Sequence, residues 1–185
     1  MKSILIAVAL AGVTGAAANS WHVGQGDVRV VCPMTIGGSF DAKTTALSGS
    51  VTASANGSKT FDGSLAVDLR TLDTGIALRN EHLRKTYLEV AKGPGFDTAT
   101  LSDIDLKGLS LDAPAGKGAF TGALTLHGVT KPVSGAVDVR ESGTALRVKA
   151  VFPIALADYG IRQPRYLGVG VRDTVTVEVT FAVTN

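Results

Sequence analysis

Apolar and polar residues alternate with period two along almost the whole chain. Phe120, Gly122, Leu124 and Leu126 share one face of a run whose other face carries Thr121, Thr125 and His127. After a polar elbow at residues 127–132, Val133, Gly135, Val137 and Val139 alternate with Ser134, Asp138 and Arg140. Two such runs around a short elbow predict a half-buried antiparallel hairpin. Earlier, Val28, Val30 and Cys32 oppose Arg29 and Val31, and Met34, Ile36, Gly38 and Phe40 oppose Thr35, Ser39 and Asp41. Leu47, Gly49, Val51 and Ala53 oppose Ser48, Ser50, Thr52 and Ser54, followed by Asn56-Gly57, whose tolerance of positive φ is a hairpin signal. Leu65, Val67 and Leu69 oppose Ser64, Asp68 and Arg70; Leu146, Val148, Ala150 and Phe152 oppose Arg147 and Lys149. The last run is the most regular, with Val175, Val177, Val179, Phe181 and Val183 against Thr174, Thr176, Glu178 and Thr180. Short strands separated by turn signals predict an all-β antiparallel sandwich or barrel.

One segment departs from this period. Between residues 76 and 90 the apolar positions Ile76, Leu83, Tyr87 and Val90 are spaced by seven, four and three, and Glu81 stands four before Lys85. That spacing predicts one short helix, stopped by Gly93-Pro94-Gly95, as a candidate lid over one barrel end. The inward faces are built mainly from Val, Leu, Ala and Gly, and 5% of the chain is aromatic. Inward Gly38, Gly49, Gly122 and Gly135 bring no side-chain volume. Such an interior is either left open for a hydrocarbon or filled by flattening of the barrel and by the helix.

The first residues read differently. Lys2, an apolar run from Ile4 to Val13 and the small residues Ala16-Ala17-Ala18 predict a signal peptide over 1–18, cleaved after Ala18, with a retained anchor as the alternative. The apolar run is too short for a helix across a core of about 30 Å. The predicted product is an exported, periplasmic protein whose residues 19–185 form one domain, with no repeat or linker to divide it. Removing Lys2 leaves 17 basic against 16 acidic residues, a net charge of +1. That balance, with scattered basic residues, gives no case for nucleic acid. A single cysteine, Cys32, excludes an intrachain disulfide and is either a small buried hydrophobe or a free thiol.

Catalytic patterns are missing. His22, His82 and His127 are far apart, and no HxH, HExxH, CxxC, GxSxG or P-loop spacing occurs, so neither a metal site nor a cofactor is predicted. Gly168-Val169-Gly170 lacks a third glycine and a following helix. Asp103 and Asp105, alternating with Ile104 and Leu106, read as solvated. Asn56-Gly57-Ser58 reads as a turn. Arg79 and His82, three apart on the predicted helix, either meet a ligand head group at a cavity mouth or tie the helix to strand ends.

Four ordered pieces resemble a known family: RNEHLRKTYLEV at 79–90, LTLHGVTKPV at 124–133, ADYGI at 157–161 and YLGVGVRDTVTVEV at 166–179. The chain resembles the YceI-like family, lipocalin-like proteins of the bacterial periplasm associated with polyisoprenoid binding. The resemblance implies an antiparallel barrel of about eight strands that holds a long isoprenoid, such as a quinone tail or polyprenyl phosphate, in an apolar lumen for transport, storage or scavenging. Parity then names the candidate lumen residues Val30, Ile36, Phe40, Val51, Val67, Leu124, Val137, Val148, Phe152, Val177 and Phe181, with Arg79 and His82 as head-group candidates. Two stretches depart from the family pattern. The segment VRVVCPMTIGGSFDAKTTALSG lacks a histidine-containing stretch, and AKGPGFDTAT places its phenylalanine differently. Two other readings stay open: a module docking a membrane redox protein, and an enzyme on a lipid or quinone-like substrate using Arg79, His82 or Asp158-Tyr159.

Overall fold

The computed structural model describes residues 20–53, 60–109, 115–166 and 168–184. The predicted leader and Asn56-Gly57 lie outside these residues. The alternating runs become β1 (Ser20–Pro33), β2 (Ser39–Thr44), β3 (Leu47–Ala53), β4 (Thr60–Asp68), β5 (Thr98–Lys107), β6 (Gly116–Leu126), β7 (Val129–Ser142) and β8 (Ala145–Ala155). A two-residue pair, β9 (Arg165–Tyr166) and β10 (Val169–Gly170), precedes β11 (Thr174–Thr184). Each neighbour in the order β11-β8-β7-β6-β5-β4-β3-β1 is antiparallel, and β11 pairs back onto β1. β2 and β3 follow one another along the same side of β1, so that Val30 pairs with Ala42 and Trp21 with Val51. Among the described residues, the ring therefore closes as an eight-stranded antiparallel barrel with one short helix. Closure leaves the long strands without an open edge.

Register carries the inner face around the ring. Val137 pairs with Ala150, Val139 with Val148, Val148 with Phe181, and Phe152 with Val177, all apolar and all inward. Simple parity fails in β5. Its register shifts between Ser102 and Asp105 against both neighbours, and Asp103 sits at φ 50°. This bulge returns both Leu101 and Ile104 to the interior although they are an odd number apart.

The helix is shorter than the 76–90 prediction. α1 spans Ala77–His82 and continues as one wider turn over Leu83–Tyr87, where Leu88 N–H donates to the Leu83 carbonyl five residues back. The chain leaves the helix at Glu89 (φ 51°), before Gly93. The Glu81–Lys85 pair forms at 2.7 Å. α1 buries no residue of its own. It is a rim element tethered by its flanks, with Asp73 bridged through both backbone groups to Lys43 of β2 and accepting from Asn80 Nδ2 at 2.6 Å.

Two expectations are corrected by local geometry. Ile36 does not face the lumen: residues 35–38 form the turn between β1 and β2, with Gly37 and Gly38 at φ 59° and 70°, and Ile36 stands 67% exposed at its tip. The alternation of 34–41 is thus a turn flanked by strands rather than one strand. Phe40 still faces inward, because it pairs with Cys32 on β1. The inward glycines, secondly, do not supply the open volume. A Cβ on Gly135 would lie 2.6 Å from Phe152 Cβ and 2.9 Å from Phe120 Cε1, and one on Gly122 would lie 2.9 Å from Leu101 Cδ1. Their space is filled by larger neighbours. Gly38 lies in the turn, and Gly49 faces the β4 backbone.

Candidate functional site

The antiparallel order puts four connections at one end of the barrel: 34–38, 69–97, the His127-Gly128 turn and 156–173. A cavity of about 890 Å³ opens there and runs down the barrel. Val30, Phe40, Val51, Val67, Leu124, Val137, Val148, Phe152, Val177 and Phe181 all line it, contributed by eight different strands; Ile36 does not. Parity also missed several lining residues. Trp21 and Phe61 stand 5.6 Å apart at the far end, and Leu101 and Ile104 are restored by the β5 bulge. The volume comes from small inner-wall residues, among them Ala42, Ala99 and Ala150, in a ring wide enough to enclose a ligand.

Polar groups on the wall collect at the mouth. Among the described residues Thr74, Arg79, His82, Thr86 and Arg165 line it there, while the strands below present hydrocarbon. Arg79 and His82 are thus brought together at the opening. The Arg79 guanidinium carbon lies 4.2 Å from the Phe40 ring centroid, a cation–π contact that ties α1 to β2; His82 is exposed. Cys32 also lines the cavity, and burial pushes its thiol up to about 11. It stays protonated at neutral pH and behaves as apolar wall.

The LHGVTKPV elbow holds the mouth together. Leu126 pairs with Val129, so His127 and Gly128 alone make the turn, at φ 52° and 75°; two positive-φ residues are what a type I′ hairpin requires. A histidine there costs about 1–3 kcal/mol of backbone strain. Its ring contacts offset that cost. Nδ1 donates to the Tyr159 carbonyl at 2.9 Å, Nε2 meets Glu89 Oε2 at 3.1 Å, and the Phe96 ring packs edge-on at 4.7 Å. Both polar partners are acceptors, so the two bonds coexist when both ring nitrogens carry hydrogen. One side chain therefore joins three connections of the mouth end. Lys92 bonds the same Glu89 oxygen at 2.8 Å, and that bond, with the His127 contact, holds the Glu89 carboxyl below its ordinary range.

Asp158 and Tyr159 do not line the cavity, so the structure does not bring them to the head-group candidates. Tyr159 is 2% exposed, and burial, then Asp158, raises its hydroxyl above the ordinary range. Its Oη has no hydrogen-bond partner among the described residues. An unpaired buried hydroxyl costs about 1–3 kcal/mol. Tyr159→Phe is therefore expected to keep or raise the melting temperature in a thermal scan. A fall of more than about 3 °C, roughly 1 kcal/mol in a chain of this size, would mean that the hydroxyl is bonded in solution. No group of three His, Cys, Asp or Glu among the described residues is placed to hold a metal ion.

The description YceI-like domain matches residues 21–183. The fold is similar to the crystal structure of BcnA from Burkholderia cenocepacia, with a TM-score of 0.67 and 18% identity over 86% of this chain and 96% of that one. It is also similar to a polyisoprenoid binding domain from Saccharophagus degradans, at a TM-score of 0.63 and 19% identity over 89% of this chain and 97% of that one. At these identities the likeness is one of fold. A UPF0312 protein of Vibrio vulnificus is 36% identical over 80 residues, 43% of this chain and 39% of that relative's length.

Proposed function

Because this chain belongs to the YceI-like family, we propose that it binds a long isoprenoid tail-first in the barrel, with the head group beside Arg79 and His82. It carries or stores that lipid as an exported, periplasmic protein and does no chemistry on it. The observation that carries this reading is the cavity: about 890 Å³ of mostly apolar space whose charged and hydroxyl-bearing lining residues stand at the opening. Ligand sites span about 300–1,000 Å³. The name of one structural relative, a polyisoprenoid binding domain, supports the same ligand class, and the pattern of residues 1–18 supports export.

Volume sets a length. A protein cavity of about 150 Å³ holds one benzene, so this one has room for about six such rings, or about seven five-carbon units. Burying a methylene is worth about 0.8 kcal/mol, hence up to about 4 kcal/mol per unit. Seven units at that value exceed the ceiling of about 18–21 kcal/mol for non-covalent binding, so the realised increment stays below about 3 kcal/mol per unit.

Organic extraction and native mass spectrometry of protein from its own source are expected to find an apolar ligand. Titration with isoprenoid alcohols of increasing length is expected to show affinity rising with each unit and levelling near seven. No extracted ligand together with no binding of added isoprenoids would overturn the reading.

A further inference from the structure

Among the described residues the exposed large hydrophobics are Ile36 (67%), Ile76 (49%) and Leu78 (61%). All three stand at the mouth end, on two connections that are far apart in sequence: Ile36 at the tip of the β1–β2 turn, Ile76 and Leu78 at the start of α1. Ile76 and Leu78 also line the cavity opening. Scattered single apolar residues need no explanation, but a cluster around an apolar opening marks an interaction surface.

Charge says what that surface meets. Arg29, Arg70 and Arg140 each clasp a carboxylate, Asp41, Asp68 and Asp138 respectively. Arg70 belongs to the mouth end, but four other arginines of the mouth-end connections have no such clasp. Arg79, Arg162, Arg165 and Arg172 form no ion pair with any described carboxylate; Arg165 reaches Gln163, and Arg172 Nε donates to the Met34 carbonyl. The carboxylates of these connections, by contrast, are bonded within the protein, leaving Asp158. Aliphatic tips beside arginines that have no carboxylate partner fit the interface of a bilayer, where chains enter the acyl boundary and guanidinium groups meet phosphate.

We propose that the mouth end docks on an anionic lipid bilayer, with Ile36, Ile76 and Leu78 in the interface and the arginines on lipid phosphates. This rests on the isoprenoid reading above: docked in this way, the opening faces the hydrocarbon from which a water-insoluble chain is taken or to which it is returned. The chain then crosses no water.

The test separates docking from cargo binding. The full chain is floated with protein-free phosphatidylcholine vesicles, with and without phosphatidylglycerol, at low and high salt. Association is expected to need phosphatidylglycerol and to weaken with salt. Ile36→Ser is expected to weaken it about tenfold and Arg162→Gln about fivefold. Neither residue lines the cavity, so loading of an isoprenoid alcohol dispersed in water is expected to be unchanged in both variants. Vesicle binding that is absent, or equal in both variants and the parent, overturns docking, even if a membrane protein captures the chain. Normal vesicle binding with no loading in water overturns the cargo reading and leaves docking standing.

Discussion

Val148→Arg is expected to abolish isoprenoid loading in a barrel that still folds. Val148 sits on β8 between Val139 and Phe181, and all three line the cavity. From Val148 to the mouth end of β8 at Ala155 is seven residues, about 23 Å of strand, so a guanidinium there cannot reach the polar opening. It faces space that admits water in the unloaded protein, which limits the cost of folding. Loading would strip that water and leave an unpaired cation against hydrocarbon, at a cost of several kcal/mol. The expected loss of affinity exceeds about a hundredfold, since 1.4 kcal/mol is tenfold. Val148→Phe supplies the control. It narrows the lumen without charge and is expected to shorten the longest chain accepted while loading persists. A Val148→Arg protein with native circular dichroism and normal loading would mean that the lumen is not the binding site.

The same cavity links loading to stability. At about 24 cal/mol per Å³, a dry void of this volume would cost about 21 kcal/mol, more than the 5–15 kcal/mol by which domains are stable. The barrel is therefore not kept as an empty dry shell. Water entering at the mouth or an apolar chain must occupy it, and the chain is the better guest for this wall. Delipidated protein is expected to melt at a lower temperature than loaded protein, and added isoprenoid to restore the difference by mass action.

A large loss of stability is expected from Gly135→Ala. The new methyl carbon would lie 2.3 Å from the Val151 carbonyl oxygen on β8, besides its close approach to Phe152 and Phe120. Those two rings meet edge to face at 5.4 Å, and Phe120 Cε1 and Phe152 Cβ border the glycine. A side chain can turn away, but the carbonyl belongs to a strand fixed by pairing on both sides. Separation of β7 from β8 is the remaining way out. Overpacking typically costs about 1–3 kcal/mol, and a clash with fixed backbone belongs at the top of that range, about 3 kcal/mol, or about 6–12 °C in melting temperature. Adding Phe120→Leu removes the ring contact and leaves the carbonyl contact, so rescue is expected to be partial. An unchanged melting temperature for Gly135→Ala would show that β7 and β8 part without cost.

Most of the barrel was legible because its signal is local. Side chains alternate across a strand with period two, so Val175 to Val183 or Leu146 to Phe152 declare their inner face wherever the strand is placed. The same parity put ten of the eleven named lumen residues on the cavity wall. It failed where the backbone leaves the period. Gly37-Gly38 make a turn out of what reads as a strand, which carries Ile36 into solvent. The bulge at Asp103 flips the phase of β5, which hid Leu101 and Ile104. Inward glycines were misread as open space, since their own lack of volume says nothing of which neighbour fills it.

The sequence by itself determined an antiparallel all-β chain, one helical segment, the faces of most of its strands and an elbow within 127–132, which the structure narrows to His127-Gly128. These follow from nearest-neighbour geometry: period, turn chemistry and helical spacing. Only the tertiary structure decided that the ring closes at eight strands around a cavity of about 890 Å³. Closure depends on the β1–β11 pairing of residues some 150 positions apart, which no local pattern encodes. It likewise decided that His127 joins Glu89, Phe96 and Tyr159, and that unpaired arginines share one rim with Ile36, Ile76 and Leu78. Four connections meet at that rim because antiparallel strands return every second turn to the same end of the barrel.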